Sequence, residues 1–243
     1  MRWLQVDVIA SVNEARAIDL TNRTVIVIDV LRATSTIVTA LSHGASGVIP
    51  AETVSQAKQI VQSGDVLGGE RYSKKIAGFD TGNSPFEYMG NDYNGKRIVL
   101  TTSNGTRAIQ KAMKADYVLA GAMINASACA NAAYRLRKDI ALLCAGTQDT
   151  FAFEDGLCAG LILSELYRCT DNAHAIVTND YGYMMYSAYR FHEDNMFEAL
   201  MNASGGKRLA KIGCSKDVEY CAQVNINALV PILENNIMKP FHL

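Results

Sequence analysis

The chain has 243 residues, of which 49% are hydrophobic and 19% charged, and its formal net charge at pH 7 is −1. That length can bury a substantial core, and the near-neutral charge excludes a bulk field that would attract nucleic acid or a membrane surface. The chain shows no signal-peptide pattern, no run approaching the ~18–20 apolar residues of a membrane span, and no Cys-x-x-Cys pair among its six cysteines. We therefore expect a cytoplasmic protein with reduced thiols and no nucleic-acid or membrane partner.

Strand and helix signals alternate along the chain. In the first half of the chain, the apolar patterns predict strands at 4–9 and 25–29, a helix at 37–41, a strand at 47–50, a helix at 53–62, strands at 66–67 and 98–100, and a helix at 106–113. A strand at 117–120, a helix at 126–137, a strand at 140–144, a helix at 156–167 and a short strand at 175–177 follow. The last part of the chain predicts helices at 183–191, 195–200, 207–212 and 218–222 and a late strand within 226–233. This alternation indicates an α/β fold in three layers, with a largely parallel or mixed sheet flanked by helices.

No linker-like composition divides the chain, so we expect residues 1–243 to form a single α/β domain. Three segments, at 27–36, 99–109 and 141–151, each place a strand end before a hydroxyl-rich turn and a helix, so two similar, intimately packed lobes are the alternative. Residues 68–96 form the longest stretch without clear periodicity, and a loop of that length in a compact domain is usually functional.

The segment 25–41, VIVIDVLRATSTIVTAL, places an acid and a cation directly after an apolar strand. Ligands bind at the carboxyl ends of strands in open α/β sheets. Asp29 is a candidate Mg²⁺ ligand, Arg32 a bidentate clamp for an oxyanion, and Ser35 part of an anion site at a helix N-terminus. The alternative is a helix capped by Thr34 or Ser35, with Asp29 merely exposed at the strand end.

Two further candidate segments follow, GGER at 68–71 and GFDTGNSPFEY at 78–88. The glycines of the first allow close backbone approach to a ligand, and the second is dense in short polar side chains and turn residues. The alternatives are a glycine turn with a solvated ion pair and a plain connecting loop. The candidate side chains are the acids Glu70 and Asp80, the cation Arg71, and the polar residues Asn83 and Ser84.

The segment TTSNGTRAI at 101–109 repeats the design of a strand end, hydroxyl groups and a helix. Its backbone amides, hydroxyl groups and arginine are suited to surround one anion. The alternative is a turn at Asn104-Gly105 with Thr106 as the helix cap. The candidate anion-binding residues are Thr102, Asn104, Gly105, Thr106 and Arg107.

The segment 144–155 begins with Cys144 at a strand end and ends with Glu154 and Asp155 before a helix. A cysteine phosphatase loop needs an arginine six positions after the cysteine, where Thr150 stands, so a buried structural thiol is the favoured interpretation. Glu154 and Asp155 are candidates for a metal site or a general base. The alternative is that they only interact favourably with the helix dipole.

Taken together, IDVLRATST, GGER, GFDTGNSPFEY, LTTSNGTRAI and CAGTQDTFAFEDGLCAG resemble the 2-phosphosulfolactate phosphatases of the ComB type, in the order of that family. The stretch SGGKRLAKIGCSKDVEYCA is similar to the family's C-terminal segment. The resemblance implies an α/β fold and Mg²⁺-dependent hydrolysis of 2-phospho-3-sulfolactate to 3-sulfolactate and phosphate, a step toward coenzyme M. Ser103 and the Gln148-Asp149 pair depart from the family pattern, in which a threonine and a glycine-containing turn are expected.

The substrate implied by the resemblance carries a phosphate, a carboxylate and a sulfonate, so one metal ion with Arg32, Arg71 and Arg107 would balance much of its charge. The hypothesis is that Asp29, with Glu70, Asp80, Glu154 or Asp155, holds Mg²⁺, and that an acid-activated water attacks phosphorus. Arg107 with the 102–106 loop would bind one anionic group and Arg32 with Ser35 another.

Several alternatives stay open at this point. A covalent route through Asp29 or Cys144 would replace direct attack by water. The substrate would differ if the protein acts on another small phosphorylated hydroxy acid, and a non-catalytic anion-binding protein would retain the pocket without the reaction. The apolar stretch 181–191, which is rich in methionine and tyrosine, and the apolar C-terminal tail together predict a homodimer.

Overall fold

The computed structural model describes residues 3–170 and 175–241. Within these residues the strands are β1 (Leu4–Ile9), β2 (Thr24–Ile28), β3 (Gly47–Ala51), β4 (Val66–Arg71), β5 (Lys74–Lys75), β6 (Arg97–Thr101), β7 (Tyr117–Gly121), β8 (Ile140–Cys144), β9 (Ile176–Thr178), β10 (Pro231–Glu234) and β11 (Ile237–Pro240). The helices are α1 (Ala17–Leu20), α2 (Ala33–Ser42), α3 (Val54–Ile60), α4 (Gly105–Ala112), α5 (Ala126–Arg135), α6 (Phe153–Arg168), α7 (Asp180–His192), α8 (Met196–Asn202), α9 (Ser204–Lys211) and α10 (Ser215–Cys221). The predicted α/β fold with a mixed sheet flanked by helices is confirmed.

One sheet of 11 strands, in the order β5-β4-β6-β3-β11-β10-β7-β2-β8-β1-β9, runs through these elements. It contains two parallel blocks, β4-β6-β3 on one side and β7-β2-β8-β1-β9 on the other. The hairpin of β10 and β11 joins the blocks, because β10 pairs antiparallel with β7 and β11 pairs antiparallel with β3. The two blocks therefore meet through the C-terminal hairpin.

The central strand β2 is buried along its whole length, which explains its uninterrupted apolar sequence. On one face its Val25 and Val27 pack in a cluster with Ile37 of α2, Ile109 of α4 and Leu100 of β6. Helices α2 and α4 thus share a core with strands of both blocks. On the other face, Ile26 and Ile28 of β2 belong to a second cluster that includes residues of α5 and α6. This packing brings the turn after β2 close to the turn after β6.

The structure differs from the sequence prediction mainly in the irregular region and at the C-terminus. The stretch predicted as irregular, 68–96, contains the end of β4, the short strand β5 and two 3₁₀ helices, Pro85–Tyr88 and Asn91–Tyr93. The late strand predicted within 226–233 is the first arm of a hairpin whose turn residues, Asn235 and Asn236, both have positive φ, as a two-residue type I′ turn requires. No helix in residues 3–170 and 175–241 is long and apolar enough to cross a membrane.

Candidate active site

A cavity of about 120 Å³ with charged and amide side chains in its lining lies where the turns after β2, β4 and β6 converge. Its charged lining residues come from three separate parts of the chain, namely the β2–α2 turn, strand β4 and helix α9. The residues that line it and carry the chemistry discussed below are Asp29, Arg32, Glu70, Asn83, Asn104 and Arg208. The cavity therefore combines two carboxylates and two guanidinium groups with the amide side chains of Asn83, Asn104 and Gln148.

Asp29 is positioned by the turn that leads from β2 into α2. Its backbone N–H donates to Thr34 Oγ1 at 3.0 Å, and its carbonyl oxygen accepts from the Thr34 backbone N–H at 3.0 Å. The carboxylate Oδ1 accepts from the Ala33 N–H at 3.2 Å. Asp29 is only 8% exposed, so the alternative of an acid exposed at the strand end is wrong. Burial raises the pKa of Asp29 to about 7, with the charges of Glu70 and Glu154 adding to the effect.

Arg32 is the N-cap residue of α2 and is buried. Its Nη1 donates to the carboxylate of Asp217 on α10, and its Nη2 donates to the carbonyl oxygen of Ser73 at 3.1 Å. The Ser84 hydroxyl donates to the other oxygen of Asp217 at 2.8 Å. The guanidinium is therefore held in one orientation at the cavity wall, and Ser84 supports it through Asp217 without lining the cavity itself.

Glu70 and Asn83 supply further oxygen atoms to the cavity. Glu70 accepts from the backbone N–H groups of Ser73 at 2.6 Å and Ser103 at 2.8 Å. Asn83 is only 3% exposed, and its Oδ1 has no hydrogen-bond partner among the described residues. A buried amide oxygen without a partner is costly unless a ligand satisfies it, so Asn83 is a strong candidate for contact with a bound group.

These oxygens fit Mg²⁺ bound in the way that is usual at phosphate sites. The described part of the chain contains no group of three or more His, Cys, Asp or Glu side chains arranged for a metal ion. Mg²⁺, however, is commonly held by one or two carboxylates together with water and substrate phosphate oxygens. Asp29 and Glu70, with the unpartnered Asn83 Oδ1, meet that requirement.

Asp155 and Glu154 lie behind the cavity and do not line it. Asp155 accepts from the N–H groups of Val30 at 2.9 Å and Gly146 at 3.0 Å, so it ties the turn after β2 to the turn after β8. Burial raises the pKa of Asp155 well above its usual value, with contributions from Asp29 and Glu154. Burial also raises the pKa of Glu154, which the charge of Arg208 partly opposes. Asp155 therefore positions the turns, and neither acid lines the cavity.

Several predicted side chains are directed elsewhere. Arg107 donates to Asn13 Oδ1 at 3.1 Å and pairs with Asp149 outside the cavity. Arg71 donates to its neighbour's carbonyl oxygen at 2.8 Å and to Thr101 Oγ1 at 3.0 Å. Asp80 is exposed and accepts from a backbone N–H of β4 at 2.8 Å. The structure therefore does not bring these three charged groups to the cavity with Asp29.

The hydroxyl groups predicted for anion binding mostly stabilise the turns. Thr102 and Thr106 exchange hydrogen bonds at 3.1 Å across the start of α4. The Ser35 hydroxyl donates to the carbonyl oxygen of Val30 at 2.8 Å. Cys144 is fully buried, and burial raises the pKa of its thiol well above its usual value, which disfavours a thiolate nucleophile.

Gly105 is the point where the two predicted turns touch. A Cβ at this position would lie 2.4 Å from the Ala33 Cβ and 2.6 Å from Asp29 Oδ2. The β6–α4 turn therefore needs glycine here in order to pack against the catalytic candidate Asp29. Its neighbours Ser103 and Asn104 line the cavity, so this turn supplies the cavity with backbone and small polar groups.

Sequence reasoning missed Asp217 and Arg208. Both belong to the C-terminal stretch whose pattern predicts helices alone, and neither lies at a strand end. The sequence signal for a close contact of α9 was the glycine pair at 205–206. These glycines allow α9 to pack against Glu154, since a Cβ on Gly205 would lie 2.1 Å from Glu154 Oε1. The β8–α6 loop residues Thr147 and Gln148 also line the cavity.

Comparison with known proteins decides the family. The family model described as 2-phosphosulpholactate phosphatase matches residues 9–236. The chain belongs to the 2-phosphosulfolactate phosphatase family. A relative from Thermotoga petrophila is 43% identical over 218 residues, covering 88% of this chain and 91% of the relative. A relative from Caldanaerobacter subterraneus is 39% identical over 225 residues, covering 91% of this chain and 92% of the relative.

A third relative in the 2-phosphosulfolactate phosphatase family, from Clostridium tetani, is 35% identical over 239 residues, covering 97% of this chain and all of the relative. Each of the three relatives is named a probable 2-phosphosulfolactate phosphatase. The predicted family membership is therefore confirmed over nearly the whole chain, including the C-terminal segment that carries Arg208 and Asp217.

Proposed function

We propose that this protein hydrolyses 2-phospho-3-sulfolactate to 3-sulfolactate and phosphate in a reaction that requires Mg²⁺. The observation that carries the proposal is that the buried carboxylate of Asp29 lines the same cavity as the guanidinium of Arg32. The names of the relatives supply the substrate. The geometry supplies the reason why this cavity suits phosphoryl transfer, a reaction that depends mainly on positioning and electrostatic stabilisation.

The metal would be held by Asp29 and Glu70, with Asn83 Oδ1 as a further oxygen ligand. When bound, Mg²⁺ would offset the negative charge on the phosphoryl oxygens. Because the pKa of Asp29 is raised to about 7 by burial, its carboxylate is costly to ionise in the empty protein. A divalent cation would favour the ionised form of this carboxylate and would compete with the proton for it, so metal binding should strengthen as pH rises through about 7.

Arg32 would bind a non-bridging oxygen of the phosphoryl group. Its guanidinium is already fixed by Asp217 and by the Ser73 carbonyl oxygen, so little reorganisation is needed when charge develops on the phosphoryl oxygens. In the reaction, a water oxygen forms a bond to phosphorus and the bond between phosphorus and the C2 oxygen breaks. The attacking water gives up one proton and the C2 oxygen takes up one proton, so the products are the alcohol and hydrogen phosphate. In our proposal Asp29 is a metal ligand and not a nucleophile.

The test is phosphate release from 2-phosphosulfolactate by the purified full chain, with Mg²⁺ or with EDTA. Asp29→Asn should lower kcat/KM by about 10³-fold or more. Asp80→Asn is the matched control, because it changes an exposed carboxylate outside the cavity. Unchanged turnover in Asp29→Asn, or full activity in EDTA, would contradict the proposal, and trapping of a labelled phosphoenzyme on Asp29 would replace direct attack by water.

A homodimer remains a prediction. On α7, Tyr183 and Phe191 are 69% and 82% exposed, whereas Met185 and Tyr189 are buried. The segment that predicts the dimer thus has one face in the core and one apolar face on the surface. The mass measured by light scattering in solution tests the dimer, and a monomer at assay concentration would refute it.

A further inference from the structure

Arg208 differs from the other arginine of the cavity because no hydrogen bond or ion pair holds its guanidinium in the described part of the protein. Its side chain lines the cavity and is half-buried. Arg32, by contrast, is held by Asp217 and by a carbonyl oxygen. Within residues 3–170 and 175–241, no hydrogen bond or ion pair engages the Arg208 guanidinium. An arginine that lines a cavity in this state retains all its donors for a ligand.

The position of Arg208 is fixed by the packing of its helix. Helix α9 begins against Glu154, since a Cβ on Gly205 would lie 2.1 Å from Glu154 Oε1. Glu154 is buried, and Arg208 is close enough to lower its pKa, although the two form no ion pair within the described residues. The buried acid therefore favours a cation at this place in the cavity and still leaves the guanidinium donors available.

The other charged residues of the cavity already have partners or proposed ligands, which leaves Arg208 to bind a further anionic group. Asp217 balances the charge of Arg32 in a buried pair. Asp29 and Glu70 are the proposed metal ligands. Arg208 is then the remaining cation among the lining residues that the structure describes. A guanidinium presents parallel N–H donors that match the oxygens of a carboxylate or of a comparable oxyanion.

We propose that Arg208 binds an anionic group of the substrate other than its phosphate, and so selects phosphomonoesters that carry a carboxylate or a sulfonate beside the ester carbon. This inference rests on the proposed function for the identity of the reaction. It deepens that function, because it assigns the recognition of the acid group to α9 and not to Arg107, which does not line the cavity and whose Nη2 is engaged by Asn13 and Asp149.

The kinetic test compares the wild type with Arg208→Gln on four phosphomonoesters. These are 2-phosphosulfolactate, with both acid groups; 2-phospholactate, with the carboxylate; 2-phosphooxyethanesulfonate, with the sulfonate; and ethyl phosphate, with neither. The ratio of kcat/KM for 2-phosphosulfolactate to that for ethyl phosphate should fall about 10–100-fold in Arg208→Gln, the loss expected for a charged hydrogen bond. Whichever single-acid substrate shows the same fall in its ratio to ethyl phosphate identifies the group that Arg208 binds.

Two variants make this result specific. Arg208→Lys keeps the charge without the paired donors and should lie between wild type and Arg208→Gln. Lys207→Gln removes an exposed cation from the same helix, outside the cavity lining, and should keep the wild-type ratio. An equal loss on all four esters in Arg208→Gln would overturn the proposal, because it would mean that Arg208 acts on the phosphate or on the fold.

A binding measurement separates this proposal from the proposed function. Calorimetric titration with 3-sulfolactate, which has both acid groups and no phosphate, should show affinity about 10–100-fold weaker in Arg208→Gln than in wild type and Lys207→Gln. This result would support the role of Arg208 even if the protein released no phosphate from any ester. Equal affinity in wild type and Arg208→Gln would overturn the role of Arg208 even if hydrolysis is confirmed.

Discussion

The β2–α2 turn and the β6–α4 turn have similar sequences but serve the cavity differently. Each follows a buried strand, contains hydroxyl residues, and carries an arginine near the start of a helix. Arg32 is the N-cap of its helix and lies in the cavity wall, whereas Arg107 is the third residue of α4 and is directed outward to Asp149. The first turn supplies charge, and the second supplies small residues that pack against it. Residue type alone does not assign a role, because the helical position decides where the side chain is directed.

The largest expected effect concerns the pH dependence of stability in the metal-free protein. In the unfolded chain Asp29 titrates with the ordinary pKa of an aspartate, about 3.9, whereas the folded protein holds the pKa of Asp29 at about 7. Between these values the folded state binds more protons, so stability should fall as pH rises from about 4 to 7, by up to about 4 kcal/mol. Urea unfolding in EDTA measures this slope.

Asp29→Asn should reduce the slope of the unfolding free energy against pH. The slope that remains should come from the buried acids Glu154 and Asp155, whose pKa values are also raised. Asp80→Asn should leave the slope as in wild type. An identical slope in wild type and Asp29→Asn would show that folding does not raise the pKa of Asp29. The proposed difference between the two turns would then be wrong.

The next largest effect is expected for the buried pair that holds Arg32. Asp217→Asn leaves the guanidinium without its counter-charge and should lower the free energy of unfolding by about 3 kcal/mol. It should also raise KM, since the arginine loses its fixed orientation. Urea unfolding measures this loss. The control is Glu219→Gln, which changes an exposed acid on the same helix. A change below about 0.5 kcal/mol would mean that Arg32 does not depend on α10.

Gly105→Ala tests the contact between the two turns. The added Cβ would lie 2.4 Å from the Ala33 Cβ and 2.6 Å from Asp29 Oδ2, so the turn must shift, at about 2 kcal/mol of stability. A displacement of about 1 Å at the site can reduce kcat about 100-fold. Gly90→Ala, with no neighbour closer than 3.8 Å, is the control. If Gly105→Ala has wild-type kcat and KM, the packing of the β6–α4 turn against Asp29 does not affect catalysis.

The smallest effect is expected for Arg107. Its side chain is 31% exposed and that of its partner Asp149 is 50% exposed, and ion pairs of this kind contribute less than about 1 kcal/mol. Arg107→Gln should therefore change kcat/KM by less than about threefold, well below the effect expected for Arg208→Gln. If Arg107→Gln lowers kcat/KM a hundredfold, the two turns would share the binding of anions, as the sequence alone indicates.

The fold could be predicted because its strands are buried and its helices amphipathic. β2 is apolar after its first residue, β8 is apolar throughout, and both are fully buried, so their position in the sheet follows from composition. The second arm of the C-terminal hairpin was missed although it carries a readable signal, the Asn235-Asn236 pair between apolar residues. That pair marks a two-residue turn, which the prediction of a single late strand does not include.

The charged residues of the candidate site could be predicted only where they follow a strand. Asp29, Arg32 and Glu70 stand at strand ends and line the cavity, as their sequence position indicates. Arg208 and Asp217 come from helices that reach the cavity through tertiary packing. The glycine pair at 205–206 indicates close packing of α9 but does not show what α9 packs against. The position of Arg208 depends on the contact of Gly205 with Glu154, two residues that lie far apart in the chain and meet only in the folded protein.

The most direct measurement is a crystal structure of the wild-type protein with Mn²⁺ in place of Mg²⁺, 3-sulfolactate and phosphate, because the anomalous signal of manganese locates the metal. We predict manganese coordinated by Asp29 and Glu70, phosphate against Arg32, and an acid group of 3-sulfolactate against Arg208. Manganese bound elsewhere, or the two anions seated beside Arg107 with the cavity at Asp29 empty, would contradict the proposed site.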